Sequence, residues 1–167
     1  MVGLSRKRIV GVMGPGAGAT AVDFENAYEL GRQIALAGWV LLSGGRGVGV
    51  MDAASRGARA AGGLTVGILP NSEAVGMSEA VEIAIFTDMG SARNNINVLS
   101  CDVAIACGMG LGTTSEVALA LKANNPTILL GWSEVGRVFF QTFASSHLWV
   151  VESVEDAIAT TKAILND

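Results

Sequence analysis

The chain has 167 residues, of which half are hydrophobic and 22 are glycine, and its net charge at pH 7 is −4. This length suits one core, so we expect a single domain over residues 1–167 and no long disordered segment. The negative charge disfavours a nucleic-acid surface, and the apolar runs are far shorter than the roughly 20 residues that cross a bilayer.

Short aliphatic runs alternate with small-residue helical stretches along the chain, which is typical of repeated βα units around a parallel sheet. The predicted strands are residues 8–13, 39–43, 64–69, 81–86, 102–107, 126–130 and 148–151. The predicted helices are residues 23–37, 50–61, 91–100, 113–123 and 154–165, and residues 131–146 remain unassigned. Ser153 is the predicted N-cap of the last helix. We therefore predict a three-layer Rossmann-like α/β domain with a mostly parallel sheet of about six or seven strands.

Hydrophobic periodicity predicts which side chains of three helices face the core. In the first helix these are Phe24, Ala27, Tyr28, Gly31 and Ala35, and Gly31 is expected to let the helix approach the sheet closely. In the second helix they are Met51, Ala54, Ala58 and Ala61. In the helix over residues 91–100 they are Ala92, Ile96 and Leu99. The polar segment 70–79 is predicted to be a loop able to cover a ligand.

A first glycine-rich loop runs from residue 11 to residue 18, between a strand and a helix. Glycines let backbone N–H groups approach an anion closely, and the N-terminus of the following helix adds partial positive charge. We therefore predict ligand contacts from Gly14, Pro15, Gly16, Ala17 and Gly18.

A second glycine-rich loop, residues 44–49, follows the second strand. A dinucleotide-binding Rossmann domain carries an acidic residue there to bond the ribose, but this strand ends in Ser43-Gly44-Gly45, so NAD is not the expected cofactor. Predicted ligand residues here are Ser43, Gly44, Gly45 and Met51. Arg46 lies at the rim, as a solvated charge or as a phosphate contact.

A third loop begins at Gly108 and leads into a helix. Loops at the carboxyl ends of parallel strands converge on one crevice, so the three loops together predict a site for a phosphorylated small molecule. The predicted ligand residues of the third loop are Gly108, Gly110, Leu111, Gly112, Thr113, Thr114 and Glu116.

Glu116 has two interpretations. The spacing favours a capping box in which Thr113 is the N-cap and Glu116 returns a hydrogen bond to it. Alternatively, Glu116 is a carboxylate beside a bound sugar, where it acts on water or on an oxocarbenium-like charge.

Arg93 lies in the first turn of a predicted helix, where a solvated arginine opposes the helix dipole. A charge-assisted bond to phosphate contributes about 1.5–3 kcal/mol and outweighs that penalty. Arg93 and its neighbours Met89 and Asn94 are therefore predicted ligand-binding residues.

These motifs resemble a Rossmann-like superfamily that includes the LONELY GUY phosphoribohydrolases, often labelled lysine decarboxylase-like, and the molybdenum cofactor carrier proteins. The resemblance covers residues 11–130 and rests on Gly44-Gly45 with Gly49-Val50-Met51, on Met89-x-x-x-Arg93, and on Gly110-x-Gly112-Thr113-x-x-Glu116. The phosphoribohydrolases carry an Arg-Lys pair and a Pro-Gly-Gly run, whereas this chain has Arg93-Asn94 and Gly108-Met109-Gly110.

The Arg93-Asn94 version is more similar to the branch of the carriers. That resemblance implies a binding, carrier or storage protein for the molybdenum cofactor, a phosphorylated pterin. The alternative is hydrolysis of nucleoside 5′-monophosphates to base and ribose 5-phosphate, with a nucleotide as ligand and Arg93 and Glu116 as the catalytic residues. The family also implies a homo-oligomer, a dimer or tetramer. Because no membrane-spanning run and no signal peptide is predicted, we expect a cytoplasmic protein.

Other cofactors and partners are not expected. Pyridoxal phosphate chemistry needs a Schiff-base lysine, and Lys7, Lys122 and Lys162 adjoin none of the glycine loops. No His or Cys cluster has metal-ligand spacing, and Cys101 and Cys107 are predicted to be free buried thiols. No signal peptide, membrane partner or nucleic-acid partner is predicted.

Overall fold

A computed structural model of the chain describes residues 6–143 and 146–166. The strands are β1 (Ile9–Met13), β2 (Val40–Ser43), β3 (Thr65–Leu69), β4 (Ile83–Phe86), β5 (Val103–Cys107), β6 (Thr127–Leu130) and β7 (Leu148–Val151). The helices are α1 (Ala21–Leu36), α2 (Gly49–Ala60), α3 (Asn94–Leu99), α4 (Leu111–Lys122), α5 (Glu134–Gln141) and α6 (Val154–Leu165). A single 3₁₀ turn, Gly90–Arg93, leads into α3.

The seven strands form one parallel sheet in the order β4-β3-β2-β1-β5-β6-β7. The chain starts near the middle, builds outward through β2, β3 and β4, and then returns to the other side of β1 to place β5. In register, Val10 of β1 lies between Leu41 of β2 and Val103 of β5. The predicted Rossmann-like fold is therefore confirmed, and its strand order reverses at the β1–β5 boundary.

Helices cover both faces of the sheet, and each face has its own core. On one face, side chains of α1, α2 and α6 pack on alternate residues of the central strands, such as Val10 and Val12. On the other face, Met13 packs with α3 and α4, and α5 joins through Phe140. Alternation along a strand sends successive side chains to opposite faces, so β1 contributes to both cores.

The contact between α1 and α2 depends on two glycines. A Cβ atom on Gly31 would lie 2.0 Å from the carbonyl oxygen of Ala54, and one on Gly57 would lie 1.9 Å from that of Tyr28. Gly31 therefore lets α1 approach α2, and the prediction that it brings the helix close to the sheet is wrong.

The predicted inner face of α1 is partly wrong. Phe24 and Tyr28 are 43% and 42% exposed, while Leu30 and Ile34 are fully buried. Ala27 and Gly31 are buried as predicted, and Ala35 is half-buried against the core. On α2 itself, Met51, Ala54 and Ala58 are buried as predicted, and Ala61 is a half-buried C-cap.

The inner face predicted for the helix over residues 91–100 is mostly wrong. Ala92 and Leu99 are exposed, whereas Ile96 is half-buried and packs against the core. The buried residues are Arg93, Asn94, Asn97 and Val98. Polar side chains turn inward here because they bond one another and α4, as described below.

The remaining elements follow the predictions with one addition. The unassigned segment contains α5, which begins after the N-cap Ser133 and buries Gly136 and Phe140; residues 144 and 145 lie outside the described residues. Ser153 caps α6 as predicted, accepting from the Asp156 N–H. Cys101 and Cys107 are buried and unbridged, and burial raises the pKa of both thiols to about 12. Among the described helices, none has the length and apolar character needed to span a membrane.

We predict that Gly31→Ala lowers the free energy of unfolding by about 3 kcal/mol, because the new methyl group forces two helix backbones apart. Gly112→Ala on α4 is the matched control, since a Cβ there meets nothing within 4 Å. A helical Gly→Ala change without strain is expected to stabilise by about 0.5–1 kcal/mol. Urea denaturation measures both variants, and an unchanged midpoint for Gly31→Ala would contradict the close contact.

Candidate functional site

A crevice of about 450 Å³ opens at the carboxyl ends of the adjacent strands β2, β1 and β5. The predicted site residues that line it are Gly14, Pro15, Gly16, Gly18, Gly44, Met51, Arg93, Asn94, Gly110, Leu111, Gly112, Thr113 and Glu116. All three glycine-rich loops thus contribute to one opening.

The other predicted site residues lie outside the lining: Ala17, Ser43, Gly45, Met89, Gly108 and Thr114. Ser43 is buried beneath the second loop, where its hydroxyl accepts from the Gly45 N–H at 3.1 Å. Gly108 packs against the carboxylate of Asp23, which a Cβ atom would meet at 2.5 Å. Their contacts support the loops, whereas Ala17 and Met89 are exposed to solvent.

The lining also contains residues that were not predicted: Met13, Pro70, Gly90, Ser91 and Met109. Pro70 follows β3 and Gly90 follows β4, and the Gly90 N–H donates to the Pro70 carbonyl at 2.9 Å. A signal for both existed, since every loop that follows a strand of a parallel sheet leaves from the same edge. Arg46, placed at the rim from the sequence, also lines the crevice.

The first loop ends in a capping box at the N-terminus of α1. The Thr20 hydroxyl accepts from the Asp23 N–H at 3.2 Å, and the Asp23 carboxylate accepts from the Thr20 N–H at 2.8 Å. This capping box places a carboxylate at the positive end of α1. The positive end of α1 is therefore occupied by the chain itself, and the predicted contribution of this dipole to anion binding is not supported.

The third loop leads into α4 without a side-chain cap. The N-cap of α4 is Gly110, which has no side chain to cap the helix, and α4 begins at Leu111. The predicted capping box of Thr113 and Glu116 is therefore wrong, because both residues already lie inside the helix. The N–H groups of the first turn have no intrahelical acceptors, and the residues of that turn, Leu111, Gly112 and Thr113, line the crevice.

Arg93 and Glu116 meet at the floor of the crevice. One guanidinium nitrogen of Arg93 lies 3.6 Å from a carboxylate oxygen of Glu116, and the two residues are 7% and 6% exposed. Arg93 also donates to the side-chain oxygen of Asn94 at 2.8 Å and to the Gly44 carbonyl at 3.4 Å. Asn97 donates to the same Glu116 oxygen at 2.8 Å.

Burial shifts the ionisation of both groups toward their neutral forms. It raises the pKa of Glu116, against the hydrogen bond from Asn97 and the charge of Arg93. It lowers the pKa of Arg93, against the charge of Glu116, and the nearby charge of Arg46 lowers that pKa further. The guanidinium nevertheless stays protonated, since its reference pKa exceeds 12.

Three buried polar atoms at this centre have no hydrogen-bond partner within the described residues: Arg93 Nε, Thr113 Oγ1 and Asn97 Oδ1. Arg93 and Thr113 line the crevice through other atoms, since the unpartnered atoms themselves are buried. Arg93 Nε is a donor and the Thr113 hydroxyl can donate or accept, so both residues have hydrogen-bonding capacity that the described chain does not use.

The segment 70–79 is attached to the second loop. The Gly47 N–H donates to the Gly76 carbonyl at 2.8 Å, and the Ser78 N–H donates to the Gly45 carbonyl at 2.9 Å. Within this segment only Pro70 lines the crevice. The rest of the segment packs against the second loop and not over the crevice, so the structure gives no support to its predicted role as a cover.

The lining combines cationic and N–H donors with one carboxylate, Glu116, which suits an oxyanion with several acceptor oxygens. Within residues 6–143 and 146–166, no three His, Cys, Asp or Glu side chains come together as metal ligands. Glu116 is the carboxylate placed to act as an acid or base on a ligand held in the crevice.

Known proteins share this fold and sequence over most of the chain. The chain matches the molybdenum cofactor binding protein of the phototrophic bacterium Rippkaea orientalis with 56% identity and a TM-score of 0.94, over 96% of this chain and 98% of that one. It matches the molybdenum cofactor carrier protein of Chlamydomonas reinhardtii with 48% identity and a TM-score of 0.93, over 97% and 100% of the two chains.

A cytokinin riboside 5′-monophosphate phosphoribohydrolase of Mycobacterium tuberculosis is 38% identical over 96 residues, which are 56% of this chain and 51% of the enzyme. The resemblance to both branches that the motifs predict is thereby confirmed. The profile of the SLOG cluster4 family matches residues 7–158, nearly the whole chain, and the chain therefore belongs to the SLOG cluster4 family.

Proposed function

We propose that this chain binds the molybdenum cofactor, a phosphorylated pterin, and serves as its carrier or storage protein. The observation that carries the proposal is the uncapped N-terminus of α4 beside Arg93 in one crevice, where backbone N–H groups and a guanidinium supply donors for an anion. Phosphate supplies the acceptor oxygens that these donors lack. Among phosphorylated ligands, the similarity to a cofactor-binding and a cofactor-carrier protein over nearly the whole chain favours this one.

Each part of the crevice has a role in this proposal. The first-turn N–H groups of α4 and the Thr113 hydroxyl hold the phosphate, and Arg93 pairs with its charge. Met13 and Met51, which are buried, provide an apolar wall for the ring. Asn94 orients Arg93, because its oxygen accepts from Arg93 and its amide nitrogen donates to Ser115 at 2.8 Å.

We predict that Arg93→Ala weakens binding of the molybdenum cofactor by about 10- to 100-fold, the equivalent of one lost charge-assisted hydrogen bond of about 1.5–3 kcal/mol. Arg93→Lys keeps the charge and loses the planar fork, so we expect it to lose less affinity for the cofactor than Arg93→Ala does. Equilibrium binding to purified protein measures both affinities.

Arg56→Ala is the control for that experiment, because Arg56 is exposed on α2 and pairs with Asp52 outside the crevice. Thermal melting shows whether each variant is folded, since Arg93→Ala leaves Glu116 buried without its partner. A folded Arg93→Ala protein with wild-type affinity would refute the role of Arg93, and a wild-type protein without affinity would refute the proposed function.

A second candidate is a nucleoside-monophosphate phosphoribohydrolase. The position of Glu116 favours it, because the carboxylate lies in the crevice beside Arg93 and takes no part in capping α4. Against it stands Asn94, at the position where the phosphoribohydrolases carry the lysine of the Arg-Lys pair.

Glu116→Gln separates the two candidates. The amide keeps the shape of the side chain and an oxygen for the bond from Asn97, but it removes the acid/base group and a negative charge beside the ligand. For a carrier we expect cofactor affinity to be retained or raised, about two- to fivefold, by the loss of repulsion. Incubation of the wild type with AMP, followed by chromatography, is expected to give no free adenine. Adenine that forms with the wild type and disappears with Glu116→Gln would establish the enzyme instead.

A further inference from the structure

Arg46 is an exposed arginine whose backbone is held in place. It lies in the second loop, where it forms an isolated antiparallel bridge with Met77, and the adjacent Gly47 N–H donates to Gly76. Arg46 lines the crevice together with Arg93. Its position at the mouth is therefore fixed by the backbone, although the guanidinium itself is in contact with water.

No carboxylate pairs with Arg46 in the part of the chain that the structure describes. Other arginines of the chain do have such partners: Arg32 with Glu29, Arg56 with Asp52, and Arg137 with Glu152. Arg46 also raises the cost of keeping Arg93 charged, since its proximity lowers the pKa of that group. An anion between the two arginines would remove this repulsion.

The charges that line the crevice are those of Arg46, Arg93 and Glu116. Arg93 and Glu116 are opposite in sign and lie 3.6 Å apart, so they largely cancel toward a third group. The net positive charge of the crevice is therefore supplied by Arg46, and attraction from that charge grows with the charge of the ligand.

We propose that Arg46 is a specificity-determining residue that makes the crevice select a doubly charged phosphate group over a singly charged one. The inference rests on the proposed function, because it concerns the phosphate end of the same ligand. It assigns to Arg46 the part of the recognition that depends on ligand charge, whereas the buried donors around Arg93 and Thr113 supply the hydrogen bonds.

The test uses glycerol 2-phosphate, a simple phosphomonoester that gains its second negative charge near pH 6. Nuclear magnetic resonance titration of the wild type and Arg46→Gln at pH 5 and pH 8 gives four affinities. Sulfate is doubly charged at both pH values. Any change in its affinity between pH 5 and pH 8 therefore measures the effect of protein titration, such as that of Glu116. Arg8→Gln is the control variant, since Arg8 is exposed and precedes β1 at the opposite edge of the sheet.

We expect the wild type to bind glycerol 2-phosphate about twofold more tightly at pH 8 than at pH 5 after correction with sulfate, because a singly charged ligand gains half the Coulomb energy of a doubly charged one, and Arg46→Gln to lose that difference. Affinity for sulfate is expected to fall about fivefold in Arg46→Gln at both pH values and to stay unchanged in Arg8→Gln. Added salt is expected to weaken the wild type more than Arg46→Gln.

Two results would overturn the inference: affinities of Arg46→Gln that match the wild type, or a loss of phosphomonoester affinity that is equal at pH 5 and pH 8. Its failure is distinguishable from failure of the proposed function. A wild type that binds the molybdenum cofactor while Arg46→Gln changes no anion affinity leaves the carrier and removes the role of Arg46. If Arg46 selects ligands by charge but the wild type does not bind the molybdenum cofactor, the role of Arg46 stands and the carrier function is refuted.

Discussion

The reversal of strand order beside β1 is the constraint on which the site depends. Parallel strands are joined through crossovers, and here the connection after β1 leads to α1 on one face while that after β5 leads to α4 on the other. The two connecting segments, after β1 and after β5, therefore diverge as they leave the sheet. The crevice opens between them, and the residues proposed to hold a ligand line it.

Burial of a cation and a carboxylate at the floor of this opening is costly, because both lose water. The separation of 3.6 Å between Arg93 and Glu116 exceeds a hydrogen bond, so their attraction repays that cost only in part. Asn94 and Asn97 supply further hydrogen bonds to the two groups. The arrangement makes physical sense as preparation for an anion, which gains a desolvated guanidinium that is already oriented.

Much of this architecture was predictable from the sequence. The predictions that are wrong failed for physical reasons. The strands and the three glycine loops follow from hydrophobic runs and from breaks at glycine, which are local signals. The face of α3 was not predictable, because periodicity assumes that polar side chains point outward and Asn97 points inward to Glu116. Likewise, Thr113 and Glu116 have the spacing of a capping box, but α4 starts earlier, at Leu111, so both residues lie inside the helix.

The walls of the crevice are braced by hydrogen bonds within the chain. The Val50 N–H donates to the Pro15 carbonyl at 3.0 Å, the capping box closes the start of α1, and residues 76 and 78 hold the second loop. Association with a ligand therefore freezes little main-chain motion, and the entropic penalty of binding is small. We therefore expect ligand exchange to need no refolding of these loops, unlike exchange at a site that folds a segment over its ligand.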